Sequence, residues 1–211
     1  MTRGRFITFE GIDGSGKSTQ LRLLSQWLNG QGKETVDTVE PGGTAIGRRI
    51  RAILLDPASA GIASQTELLL YFASRAQNVE EVIRPALESG RIVLCDRFTD
   101  STVVYQGCGR GLDSSVILDL DRIACRGLRP DITILMDIDV ATSMARASRR
   151  NDVAGPAESR IDMESSAFHQ RVRNGYLALA GSEPGRFIIV DGRAPVVEVA
   201  RIIQETLSGR V

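Results

Sequence analysis

The chain has 211 residues, enough for a single domain to bury a core without disulfides or a structural metal. Its 26 Lys and Arg balance its 26 Asp and Glu, which argues against a protein drawn as a whole onto nucleic acid or an acidic membrane. Cys95, Cys108 and Cys125 are odd in number and lack CxxC spacing, and His169 is the only histidine, so neither a disulfide framework nor a zinc site is supported. The start MTRGR leads into an apolar run that Glu10 cuts short, leaving no signal-peptide core and no bilayer span. A soluble, unprocessed protein in the reducing cytoplasm is expected. RFITFE (5–10) reads as the first strand.

Directly after that strand, GIDGSGKS (11–18) fits the phosphate-cradling pattern GxxxxGK[ST]. Gly11, Gly14 and Gly16 free the backbone so that amides of the loop, with Ile12, Asp13 and Ser15 between them, can point at phosphate oxygens. Lys17 is placed to reach the β and γ phosphates, Ser18 offers its hydroxyl to Mg²⁺, and a helix predicted over Ser18–Asn29 turns its positive end to the same charge. The alternative is a glycine-rich turn that merely links strand to helix. Strand, loop and helix context together predict binding of a nucleoside triphosphate, without saying where the γ phosphate goes.

ETVDTV (34–39) reads as the second strand, followed by EPGGT (40–44) and a helix over Ala45–Leu55. The next helix, Gln65–Glu88, contains YFASR, which sets Tyr71 and Arg75 four apart on one face, able to sandwich or edge-bind a flat base. Tyr71 and Phe72 as core, with Arg75 a surface cation, is the competing reading. RIVLCD (91–96) is the third strand; Arg97 after it can bridge two phosphate groups or form an ion pair with Asp96 or Asp13. Ser101, Thr102 and Tyr105 follow at helical spacing and can line the same pocket.

A helix over Ser114–Ala124, the strand DITILMD (131–137) and a helix over Val140–Arg149 come next. Arg146, Arg149, Arg150 and Arg160 surround a Gly155-Pro156 breaker, the pattern of a mobile lid at about 146–162 over phosphates, or else of a solvated charged face. Glu164–Ala180 is a helix, RFIIVD (186–191) the fifth strand, and Val196–Leu207 the last helix. This alternation predicts a three-layer, doubly wound α/β fold in which ligands gather at the carboxyl ends of the strands.

FEGIDGSGKST, EPGGT, YFASR, DRFTDSTVVYQG with GRG, RPDITILMDID, SRIDMES and the late VDG together resemble the bacterial thymidylate kinases of the nucleoside monophosphate kinase group over essentially the whole length. The resemblance implies a P-loop NTPase fold with a five-stranded parallel sheet, a homodimer built by helix packing, and Mg²⁺-dependent transfer of the ATP γ phosphate to dTMP. It places the ATP phosphates on 11–18 and Asp13 near the acceptor phosphate and metal. Arg97 clamps the phosphates and Arg75 the thymine edge, and Tyr71, or less well Phe72, stacks on the base. It makes Thr102 a base-edge hydrogen-bonder with Ser101 beside it, sets Tyr105 against the sugar where a ribose carries its 2′ hydroxyl, and puts Arg51 at the acceptor phosphate. Because the loop has Gly14 and Ser15 where some members carry a catalytic arginine, the missing charge is expected from Arg149, Arg150 and Arg160, with Arg160 foremost. Val39, Phe98 and the insert NDVAGPAE depart from the family pattern, and Val39 removes one possible acceptor contact. Rival readings are another pyrimidine monophosphate kinase and a nucleotide-dependent switch, for which no NKxD is found; a nucleic-acid-binding ATPase fits the neutral charge balance poorly.

Overall fold

The computed structural model describes residues 3–154, 160–161 and 163–211, and only the backbone of 150–154. Five strands, β1 (Phe6–Glu10), β2 (Thr35–Val39), β3 (Ile92–Asp96), β4 (Ile132–Asp137) and β5 (Phe187–Asp191), form one parallel sheet in the order β2-β3-β1-β4-β5. The strands are those expected from the sequence, because each is a short apolar run between turn residues. Strand register pairs Phe9 with Asp96 on one side of β1 and with Ile134 on the other, so β1 is central and chain direction diverges from it. The crevice above β1 and β3 is thus the expected ligand position.

Alternation along β1 divides the core. Phe6 faces a layer of Leu68, Phe72, Val79, Ile83, Val93 and Phe98, whereas Ile7 and Phe9 face α1 (Lys17–Gly30) and the C-terminal helix Val196–Leu207 through Leu21, Leu24, Leu28, Val199 and Ile203. Helices α2 (Ala45–Leu55) and α3 (Ser64–Asn78) follow β2. The single helix expected over Gln65–Glu88 instead widens into a π turn at Val79–Ile83 before α4 (Arg84–Glu88). Pro85 accounts for this: it has no amide to return to the preceding turn, and its ring crowds that turn's carbonyl.

After β3, α5 (Thr99–Thr102) runs into a π-helical stretch, Val103–Gly109, which the sequence had signalled only by residue spacing. Then come α6 (Ser114–Cys125), α7 (Val140–Ala154), α8 (Ser166–Ser182) and α9 (Val196–Leu207). Among the described residues no helix is long and apolar enough to cross a membrane, and Cys95, Cys108 and Cys125 are free thiols.

Candidate active site

The loop after β1 is shaped by its neighbours as well as by its glycines. A side chain at Gly11, where φ is 134°, would come within 2.4 Å of the Met136 carbonyl, and one at Gly14, where φ is 74°, within 2.6 Å of the Ser143 carbonyl. Only glycine satisfies both the backbone angle and the space. Gly16 stands at the start of α1 with no side chain to cap it, so the first amides of that helix remain open to an anion. Lys17 lies over the loop, its Nζ donating to the Ile12 carbonyl at 3.0 Å and to Ser15 Oγ at 3.4 Å. Burial, aided by Arg97 nearby, lowers the Lys17 pKa to about 8.

Ser18 Oγ donates to the Asp96 carboxylate, joining the start of α1 to the end of β3. A hydroxyl and a carboxylate, both hard oxygen donors, meet beside the phosphate loop. Among the described residues no group of three or more His, Cys, Asp or Glu could hold a metal by itself. That donor set suits an ion carried largely by phosphates, as Mg²⁺ is.

Arg97 follows with φ of 70°, a left-handed conformation that costs a non-glycine residue roughly 1–3 kcal/mol. The turn directs its guanidinium back over the loop: Nη2 donates to Asp13 Oδ1 at 2.8 Å and Tyr105 at 3.1 Å, and Nη1 to Ser101 at 3.1 Å and Tyr176 at 3.3 Å. Tyr105 also donates to Asp13 Oδ2 at 3.3 Å. Asp13, Gly14, Gly16, Lys17, Ser18, Val39, Glu40, Arg51, Asp96, Arg97 and Arg146 line one cleft of about 360 Å³. Arg51 Nη1 donates to the Pro41 carbonyl at 2.9 Å, which holds this arginine at the edge of that cleft.

Deeper in, Arg75 is 2 % exposed rather than a surface cation. Its Nε donates to Glu40 Oε2 at 2.6 Å and its Nη2 to Thr102 at 2.8 Å, while Asn78 donates to the other Glu40 oxygen at 3.0 Å. The guanidinium also lies 4.9 Å from the Phe72 ring centre and 5.1 Å from that of Phe98. Burial raises the Glu40 pKa, and Arg75 and Asn78 partly offset that rise. Arg75 Nη1 is buried and meets no hydrogen-bond partner among the described residues, an unspent donor of the kind a bound carbonyl would satisfy. Tyr71, half-buried one turn before Arg75, has its hydroxyl pushed up to about 12, chiefly by burial, with Glu67 adding to the rise. Phe72 is committed to the core and offers no free ring face for stacking.

The basic segment after β4 is arranged differently from its sequence reading. Arg146 sits in the cleft wall and donates to the Gly192 carbonyl at 2.7 Å, and Arg149 is exposed on α7. The side chains of Arg150 and of the NDVAGPAE insert, and the whole Gly155-Pro156 breaker, lie outside the described residues. Arg160, expected as the foremost of the three catalytic arginines, is 8 % exposed and ion-paired with Glu67, with a further bond from Nε to the Leu54 carbonyl at 3.3 Å. Glu67 also accepts from Gln106 at 2.6 Å and Arg110 at 3.0 Å. A cation already neutralised by a buried carboxylate has little field left for a phosphoryl group.

Sequence reasoning did not single out Glu10, Glu40, Asp96 or Tyr176 for the site. Glu10, Glu40 and Asp96 shared one legible signal, a carboxylate closing or directly following an apolar strand. Tyr176 gave none, because it is one apolar-face residue of α8 that only the fold brings to β1.

Comparison with known proteins shows the family. The family model for thymidylate kinase matches residues 9–203. A thymidylate kinase of Desulfovibrio desulfuricans is 55% identical over 196 residues, covering 92% of this chain and 90% of that protein. One from Pelobacter propionicus is 52% identical over 210 residues, covering 99% and 96%. The crystal structure of thymidylate kinase from Ehrlichia chaffeensis superposes with a TM-score of 0.78 at 34% identity, covering 98% of this chain and 99% of that one. The chain belongs to the thymidylate kinase family.

Proposed function

We propose that this protein transfers the γ phosphate of ATP to dTMP, giving dTDP and ADP, in a single kinase domain. The observation that carries the reading is the convergence of two sets of groups on one cleft: a phosphate loop with Lys17, and the Asp13–Arg97 pair, with the buried, partly unsatisfied Arg75 held behind the same wall by Glu40.

Phosphoryl transfer through a loose transition state asks a protein for alignment and charge neutralisation more than for covalent chemistry. The acceptor is itself a phosphate anion, so no general base is required. Loop amides and Lys17 hold the ATP tail. Ser18 and Asp96 would hold Mg²⁺, with Asp13 near it, and its positive charge would offset that of the phosphates. Arg97 reaches the phosphates from the acceptor side, with Arg51 at the acceptor phosphate. Arg75 Nη1 donates to a thymine carbonyl, Thr102 and Ser101 complete the base edge, Tyr71 supplies the stacking ring, and Tyr105 crowds the 2′ position. Arg149, exposed on α7, and Arg150 are the remaining lid cations for the transferring group, and Arg160 serves with Glu67 to anchor that segment. Closing 146–162 over the cleft would exclude water that otherwise hydrolyses ATP.

A second copy of the chain is the proposed partner. Ile46 and Ile53 on α2, Leu69 on α3, and Val116 and Ile123 on α6 are exposed although these helices pack side by side. Light scattering should give a dimer mass, and Ile123→Glu with Leu69→Glu should give a monomer. The free thiols suit the reducing cytoplasm.

ADP release from ATP and Mg²⁺ in the presence of dTMP, dUMP, UMP, CMP or no acceptor tests the reaction. Release that depends on dTMP is expected. Preference for UMP or CMP would assign a different pyrimidine kinase, and release indifferent to every acceptor would assign a switch.

A further inference from the structure

Glu10 closes β1 on the face opposite Ile7 and Phe9, fully buried, one residue before the phosphate loop. A carboxylate at such a place needs compensation. It receives three hydrogen bonds: Oε1 accepts from the Phe98 amide at 2.7 Å, and Oε2 accepts from Ser101 at 2.6 Å and Tyr176 at 2.8 Å. Each of these links leads to Arg97. The Phe98 amide belongs to the peptide that directly follows the left-handed Arg97 backbone. The hydroxyls of Ser101 and Tyr176 are the two acceptors of Arg97 Nη1.

We propose that Glu10 is a positioning residue for the phosphoryl-transfer step, fixing both the backbone turn and the guanidinium direction of Arg97 through Phe98, Ser101 and Tyr176. The inference rests on the kinase reading above. A hydroxyl has one proton to give. With Glu10 ionised, Oε2 offers lone pairs to the protons of Ser101 and Tyr176, whose oxygens also lie 2.8 Å apart, and both hydroxyls keep lone pairs for Arg97. With a neutral group at position 10 that must itself donate, its proton competes with Arg97 Nη1 for a hydroxyl lone pair, and the displaced hydroxyl proton turns to the neighbouring hydroxyl. Arg97 Nη1 then loses an acceptor while Asp13 and Tyr105 still hold Nη2, and the fork rotates.

Burial holds the Glu10 pKa up at about 7, with Asp100 adding to the rise and Ser101, Arg97 and Tyr176 opposing it. Facing it are Arg97, Asp100 and Ser101 from the segment after β3, Tyr176 from α8, Lys17 from α1 and Cys95 from β3. Asp100 is itself held by Arg186, at 2.6 and 3.0 Å. A carboxylate whose folded pKa exceeds its ordinary 4.5 weakens folding as pH rises between those values, because the folded state binds the extra proton. The ionised carboxylate therefore opposes folding while it serves Arg97, and this separates a positioning role from a merely structural one.

The test is Glu10→Gln, which keeps the shape and the acceptor for the Phe98 amide. Turnover with saturating ATP, Mg²⁺ and dTMP at pH 8 should fall about tenfold to a hundredfold, the scale of a misdirected catalytic group. KM for dTMP should change little, and thermal stability at pH 8 should be equal to or above that of the unaltered protein. Substrate phosphates titrate near pH 6 in both proteins, so the ratio of the two turnover rates isolates Glu10; it should shrink as pH falls from 8 to 6. Tyr176→Phe removes one of the two hydroxyl links and should lower turnover less. Combined with Glu10→Gln it should add less than its own single effect. Unchanged turnover in Glu10→Gln, a loss that tracks a loss of thermal stability, or strictly additive effects in the cycle would overturn the inference. Unaltered protein that releases no ADP in response to dTMP would instead overturn the kinase reading.

Discussion

The floor of the cleft and the segment after β4 both carry arginines, but in opposite states. On the floor, Arg75 is buried against Glu40 and Thr102, and Arg97 is held by Asp13, Ser101, Tyr105 and Tyr176. On α7, Arg149 is exposed to water. Charges on the floor have already lost their hydration and conformational freedom at folding, so they need not reorganise when a nucleotide arrives. A charge at Arg149 retains both, and would lose them in closing on a phosphate. On the proposed reading, recognition is built into the folded state and the final neutralisation falls to Arg149.

Arg75→Met should break the floor most severely. It strands Glu40 beneath Phe98 and Phe72, and stability should fall by about 3–5 kcal/mol. The deficit should be larger at pH 8 than at pH 5: burial already raises the Glu40 pKa, losing Arg75 raises it further, and taking a proton relieves the stranded charge. Denaturant melts at both pH values measure this. Arg149→Ala, by contrast, should change stability by less than about 0.5 kcal/mol, as surface substitutions do, while still lowering turnover.

Lys17→Ala and Arg97→Ala should each lower turnover about a hundredfold or more, the cost of removing a charge partner of the transition state. Near-normal rates in either variant would detach that residue from the phosphates. A milder probe of the same region is pH. Because the Lys17 pKa is brought down to about 8, the ammonium is lost above that value in the free protein, and ATP affinity by calorimetry should weaken between pH 8 and 9.5. Lys17→Ala should remove that dependence.

The smallest effect belongs to neither region. Arg201 and Glu205 form an exposed pair one turn apart on α9 at 2.7 Å, and Arg201→Ala should cost only about 0.3–0.5 kcal/mol with turnover unchanged. A larger loss there would show that exposed charge in this protein is not as weak as the contrast between floor and lid requires.

Strands were legible because each is a short apolar run, and the starts of α2 and α6 because Thr44 and Asp113 cap them with side-chain oxygens, whereas α8 begins two residues later than expected, after its Ser165 cap. The phosphate loop was legible because its glycines are demanded locally. What escaped depended on distant pairing. The ion pair of Arg160 with Glu67 spans 93 residues, and nothing near either residue announces it. Glu10 and Tyr176 are 166 residues apart and meet only because α8 packs over the end of β1. The π stretch at Val103–Gly109 was obscured by two glycines in QGCG, which weaken a helical reading although the packed turn is helical.

On the proposed reading, one cleft aligns a triphosphate tail with a thymidine ester. A crystal structure with Mg²⁺ and an adenosine–thymidine bisubstrate polyphosphate tests it most directly. The phosphates should lie between the loop amides, Lys17 and Arg97, with Arg75 Nη1 on a thymine carbonyl. A thymidine moiety bound away from Arg75, or a phosphate chain outside the loop, would contradict that reading.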